Sequence, residues 1–241
     1  MKPYQKIAIQ ECGEPLCPIP GESFVLTSPH PYQELGAPYD RCGVPSPYYV
    51  RQGVLERLMI ATEYLQQRHP GWKILIFDAY RPIEVQEFMV NYATLELLKA
   101  QGLPANLNAL SPSEQEKILA EVYQFWAVPS LDPATPPPHS TGAALDITLV
   151  NHLGAVVDMG SPIDEISPRS HPNYFAHSPS PTEQGYDQNR KLLQEIMITA
   201  GFRQHPQEWW HFSWGDQMWV WLSTPAGSDQ GKMAQYGRVL T

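Results

Sequence analysis

The chain has 241 residues, 42% hydrophobic and 17% charged, enough to bury a substantial core. A net charge of −9 argues against nucleic acid or an anionic membrane surface as partner, since both demand clustered Lys and Arg. No run approaches the ~20 apolar residues of a membrane span.

Three cysteines (Cys12, Cys17, Cys42) sit near the start, and the opening MKPYQKIAIQECGEPL has no apolar leader. An odd count without a leader predicts reduced thiols in a cytoplasmic protein. A Cys12/Cys17 zinc half-site lacks a second pair, so incidental thiols are expected. Residues 1–50 alternate short apolar runs with Pro and Gly, a wrapping segment with short strands at Lys6–Ile9 and Phe24–Leu26. From Arg51 to Gln67 apolar residues fall at helical spacing, and His69-Pro70-Gly71 ends the helix. Lys73–Phe77 reads as a buried strand leading into Asp78-Ala79-Tyr80-Arg81-Pro82, followed by a helix over 83–100.

Ser111-Pro112-Ser113-Glu114 is a capping box opening a helix over 112–126, in a proline-rich segment whose relation to any site is not legible. Pro136–Pro138 then stiffen the approach to His139, Gly142 permits a turn, and Asp146 stands at the mouth of the apolar run Ile147–Val150. Gly154 marks a hairpin tip, and 160–184 is a long Ser/Pro/His loop. A helix over 186–200 ends at Gly201; Glu208–Trp214 reads as strand, Met218–Leu222 as its partner, and the tail from Thr224 as peripheral. Helices and short strands without βαβ regularity make the fold α+β, a single catalytic domain spanning 1–241.

A half-buried Asp146 needs a cation or several donors, and with His139 it supplies two of the three ligands of a catalytic zinc site. Among the eight histidines, His211 is the best third ligand, because Glu208 three residues earlier could take a proton from water. A regular strand would point Glu208 and His211 to opposite faces, so the site reading requires a bulge or turn. The rival reading is a Trp-rich core strand with an incidental histidine. Arg81 could hold a substrate oxygen or pair with Asp78. Asp158 and Asp164 flank Gly160-Ser161-Pro162 as turn residues or as anchors for a cationic group. His30, His69, His152, His171, His177 and His205 lie in Pro- or Asn-flanked loops and read as surface.

Three separated pieces, Asp78-Ala79-Tyr80-Arg81-Pro82, His139 to Asp146 (HSTGAALD) and Glu208-Trp209-Trp210-His211-Phe212, together resemble the zinc D-alanyl-D-alanine dipeptidases. This is the family of the vancomycin-resistance dipeptidase, related to zinc D,D-carboxypeptidases and to the Hedgehog signalling fold. Met159–Asp164 and Asn189-Arg190 through Gly201-Phe202 are similar too, so the resemblance runs from about 40 to 222. It implies a small antiparallel sheet with helices packed on it and one Zn2+ per chain on His139, Asp146 and His211. Glu208 would be the general base, Arg81 the oxyanion stabiliser and Asp164 the partner of the substrate amine. The implied substrate is the small dipeptide D-alanyl-D-alanine, a peptidoglycan building block. Pro137 and Pro138 depart from the family, which often has serines there, one of them touching substrate. Two alternatives are a zinc D,D-carboxypeptidase, which needs an open groove, and a non-catalytic zinc-stabilised binding module, which has no use for Glu208.

Overall fold

Alternation of apolar and polar residues along two adjacent strands decides which side of the sheet becomes core and which carries the chemistry. The computed structural model describes residues 2–41, 47–224 and 231–239; Cys42 lies outside them. Its elements in chain order are β1 (Leu16–Pro18), β2 (Val25–Leu26), α1 (Pro31–Glu34), β3 (Tyr49–Arg51), α2 (Gln52–Arg68), β4 (Lys73–Asp78), α3 (Ile83–Ala100), α4 (Pro112–Phe125), β5 (Ala144–Val150), α5 (Pro181–Thr199), β6 (Arg203–Gln204), β7 (His211–Ser213) and α6 (Gln217–Ser223). Short 3₁₀ turns include Pro3–Lys6 and Pro138–Thr141.

The main sheet has the order β2-β4-β5-β7-β6, and β1 pairs with β3 in a separate two-stranded sheet. In the β4–β5 pair Ile74 faces Leu149 and Ile76 faces Ile147; a register shift after Ile76 brings Asp78 opposite Asp146. On β5, Leu145, Ile147 and Leu149 point into a core shared with Leu58 and Leu65 of α2 and Leu193 and Ile196 of α5. Asp146 therefore falls on the other face, beside His211 across the β5–β7 pair. A second apolar cluster joins Val85 and Met89 of α3 to Val122 and Trp126 at the end of α4 and to Tyr32 and Tyr39. Through it the proline-rich 100–136 segment is folded back toward the chemical face.

The α+β class and the helices around 52–68, 83–100 and 112–125 match the sequence expectations. The capping box forms: the Ser111 backbone N–H donates to Glu114 Oε2 at 2.9 Å. Several expectations need correction. Edge strand β2 runs parallel to β4, so the sheet is mixed rather than antiparallel. Met218–Leu222 belongs to helix α6, not to a strand, because Asp216 caps it by accepting the Trp219 N–H at 2.7 Å. Lys6–Ile9 forms no strand; the 3₁₀ turn Pro3–Lys6 precedes a single bridge from Ile9 to Ala234. The fifth helix starts at Pro181, earlier than apolar periodicity alone indicates. The segment after Thr224 is not peripheral where it is described, since Ala234 and Tyr236 are fully buried. Cys12 and Cys17 are free thiols. Among the described residues no helix is long and apolar enough to cross a membrane.

Candidate metal centre and active site

His139 rides on the 3₁₀ turn that the prolines initiate, and Gly142 ends that turn at φ 71°. A Cβ on Gly142 would come within 2.5 Å of Leu16 on β1, so only glycine fits there. The turn is locked to the Arg81 segment: Arg81 N–H donates to the His139 carbonyl at 3.2 Å, and Ser140 Oγ donates to the Arg81 carbonyl at 2.7 Å. His139 Nδ1 lies 2.7 Å from the Ala79 carbonyl, which can only accept, so that nitrogen carries the proton. The lone pair of Nε2 is thereby aimed at Asp146 Oδ2, 3.3 Å away, and at His211 Nδ1, 3.2 Å away.

His211 Nδ1 stands 3.1 Å from the other carboxylate oxygen, Asp146 Oδ1, so the three side chains meet pairwise. In a tetrahedral zinc site with bonds of ~2.0–2.1 Å, ligand atoms stand ~3.3 Å apart. Both imidazoles and the carboxylate are buried. A lone pair and a carboxylate converging in a dry site repel one another unless a cation lies between them, so the donor set fits a zinc ion. The Ala79 carbonyl on His139 is the kind of second contact that orients a ligating histidine. Burial works against the charge of Asp146, but His139 and His211 outweigh it and hold the carboxylate ionised. Burial also pushes His211 below the ordinary histidine range, favouring the neutral, ligating form.

Glu208 is not on a strand. His205 N–H donates to the His211 carbonyl at 2.9 Å, pinching residues 205–211 into a loop whose ends are paired. The strand proper begins only at His211, and the loop folds the Glu208 carboxylate back to 3.7 Å from His211 Nδ1. Burial, with the charge of Asp146, raises the Glu208 pKa well above the ordinary carboxylate value.

Arg81 makes the anticipated pair with Asp78 and adds a contact to Asp146. Nε and Nη2 grip Asp78 Oδ2 at 2.9 and 2.6 Å, while Nη2 also reaches Asp146 Oδ2 at 3.3 Å. Asp164 adopts a left-handed backbone (φ 66°), uncommon for a residue with a side chain and frequent at functional sites. Its Oδ2 accepts from the Tyr32 hydroxyl at 2.8 Å, and burial together with Asp146 raises its pKa to about 7. Arg81, His139, Asp146, Asp164, Glu208 and His211 all line one cleft. Asp158, by contrast, is exposed and accepts the Gly160 N–H as a turn residue.

A family model described as D-ala-D-ala dipeptidase matches residues 26–226. The chain belongs to that family. A D-alanyl-D-alanine dipeptidase of Synechocystis sp. is 51% identical over 99% of this chain and 97% of its own length. One from Escherichia coli K12 is 33% identical over 59% of this chain and 55% of its own. A solved Zn(II) complex of the vancomycin-resistance D,D-pentapeptidase VanY is 17% identical, covers 88% of both chains and superposes with a TM-score of 0.43.

In this dipeptidase-family chain several residues around the cleft escaped sequence reasoning. His30 and His205 are buried, not superficial: His30 Nε2 lies 3.2 Å from Asp78 Oδ1, and His205 Nδ1 lies 3.5 Å from Glu208 Oε1. Proline-flanked loops read as surface, yet these turn inward because buried carboxylates need partners. Arg190 holds the Asp164 loop in place by donating to the Met159 and His171 carbonyls at 2.7 and 2.8 Å and to Ser161 Oγ at 3.0 Å. Phe125, Trp126 and Ala127 close one side of the cleft; Lys2, Tyr4 and Met218 also line it. No local pattern signals these, since they reach the site from the start, the middle and the last part of the chain.

Proposed function

We propose that the protein is a zinc-dependent dipeptidase that hydrolyses D-alanyl-D-alanine to two D-alanines. The observation that carries this reading is the convergence of His139, Asp146 and His211, whose side chains approach one another pairwise to 3.1–3.3 Å with each histidine at a different Asp146 oxygen, beside the Glu208 carboxylate. Zinc held there supplies Lewis acidity and an acidified water. Glu208 takes the water proton and later delivers it to the leaving amine. Its raised pKa suits that double duty near neutral pH. Arg81, fixed by Asp78, directs its guanidinium toward charge developing on the scissile carbonyl oxygen. Asp164 pairs with the substrate ammonium and sets the demand for a free amino terminus.

The walls at Lys2, Tyr4, Trp126 and Ala127 favour a short substrate over a stem peptide, which the carboxypeptidase alternative would have to thread. Free thiols at Cys12 and Cys17 accord with a cytoplasmic setting. The direct test measures free alanine released from D-Ala-D-Ala, L-Ala-L-Ala and N-acetyl-D-Ala-D-Ala, with and without a chelator. Chelator-sensitive cleavage of the free D,D-dipeptide alone is expected. Cleavage of the acetylated compound would move the assignment to a carboxypeptidase.

A pH dependence follows from Asp164. With its pKa raised to about 7, the carboxylate that should hold the ammonium is lost as pH falls through that value. An acidic limb of kcat/KM is therefore expected near pH 7, and Asp164→Asn should raise KM and leave only the limb set by Glu208. An unchanged acidic limb in that variant would assign the titration elsewhere.

A further inference from the structure

A free dipeptide carries two opposite charges, and the proposed roles account for only the ammonium. Its carboxylate, moved from water into a buried cleft, is costly unless donors meet it. The His139 turn offers little, because Pro137 and Pro138 have no backbone N–H. Arg81, gripped by Asp78 and Gln86, is assigned to the scissile carbonyl oxygen. The remaining lysine or arginine lining the cleft, among the described residues, is Lys2, with Tyr4 beside it.

The segment carrying these two residues is held by one local bond and by contacts from the far end of the chain. Lys2 N–H donates to Gln5 Oε1 at 2.8 Å, closing the turn Pro3–Lys6. Gln217 Nε2 on α6 donates to the Ile7 carbonyl at 2.6 Å, and Gln10 N–H to the Ala234 carbonyl at 2.8 Å. The charge of Lys2 acts on Glu208 and His205. Asp164 is bonded instead to Tyr32 and feels Asp146 and Arg81. Burial, with the charges of Asp216 and Glu208, pushes the Tyr4 hydroxyl up, so it stays a neutral donor throughout the working range.

Chemistry places the carboxylate on the Glu208 side. The group that protonates the leaving amine must approach its nitrogen, and the carboxylate lies only two bonds beyond that nitrogen. We infer that the Lys2 ammonium, with the Tyr4 hydroxyl, binds the free carboxylate of the dipeptide and makes the cleft selective for a substrate charged at both ends. This rests on the dipeptidase reading and adds a specificity residue to it.

The test compares D-Ala-D-Ala with its C-terminal amide in the zinc-loaded full chain, for wild type, Lys2→Met, Lys2→Arg and Tyr4→Phe, by kinetics and by calorimetric binding. One charge-assisted contact predicts that wild type prefers the carboxylate over the amide by roughly 10- to 100-fold in KM and Kd. Lys2→Met should collapse that preference to within about threefold, Lys2→Arg should restore most of it, and Tyr4→Phe should reduce it in part. An undiminished preference in Lys2→Met would overturn the proposal while hydrolysis by wild type leaves the dipeptidase reading intact. Lys2-dependent binding without hydrolysis would sink the dipeptidase reading and sustain the subsite. Absence of both binding and hydrolysis would end both.

Discussion

Glu208→Gln is expected to lower turnover of D-Ala-D-Ala by about 10²- to 10⁴-fold, the range a positioned acid–base group supplies, while bound zinc stays at one per chain. The substitution keeps the volume and one oxygen at a site where the carboxylate is buried and lies 3.5 Å from His205 Nδ1 and 3.7 Å from His211 Nδ1. The three ligand atoms do not depend on it, because His139 is oriented by the Ala79 carbonyl and Asp146 by the β5–β7 pairing. Removing a raised-pKa carboxylate should if anything ease folding, since burial and Asp146 both oppose its charge. Zinc content by elemental analysis and turnover under saturating substrate separate the outcomes. A variant with full zinc and full turnover would rule Glu208 out as the base and reopen the binding-module alternative.

How much of this was legible beforehand depended on whether the signal was local. His139 and Asp146 were readable because prolines, a turn glycine and a β-branched run occupy one continuous stretch, and stiff backbone leaves few ways to arrange them. The core helices were readable for the same reason. The relation of Glu208 to His211 was not, because the period-two rule for strands pointed them apart. It took the hydrogen bond from His205 N–H to the His211 carbonyl to turn the segment into a loop. Helix α6 was misread because its aromatic and apolar residues also fit a strand, and the Asp216 cap decides between the two only once the chain turns at Gly215. Lys2, Tyr4 and Ala234 carry no local signal. Their placement comes from pairing between chain segments more than 200 residues apart, such as Gln217 with Ile7 and Ile9 with Ala234. At Arg81 the salt bridge to Asp78 forms, and a guanidinium's five donors leave room for the proposed substrate contact as well.

That double role gives the second large effect. Arg81 is buried, and burial opposes its charge, but Asp78 and Asp146 outweigh the penalty and hold it protonated well above the ordinary arginine value. Its planar fork spreads donors across Asp78 Oδ2, Gln86 Oε1 and Asp146 Oδ2, with the ring faces of Tyr32 and Trp126 5.0 and 5.1 Å from its carbon centre. Lysine offers a point charge on a flexible stem and cannot keep these contacts and still face the scissile carbonyl. Arg81→Lys is therefore expected to cut kcat by about 10²- to 10³-fold with a smaller change in KM. Arg81→Ala should add a stability loss of roughly 3–5 kcal/mol, because a fully buried Asp78 would lose its guanidinium and be left with His30, Tyr39 and the more distant His139. Thermal unfolding of the zinc-loaded proteins reads the second effect and steady-state kinetics the first. Asp78→Asn distinguishes their origins: it never touches substrate, yet it should lower kcat by loosening the guanidinium it anchors. If Arg81→Lys kept wild-type kcat while Arg81→Ala unfolded, Arg81 would be a structural ion pair alone, and the oxyanion charge would fall to other groups.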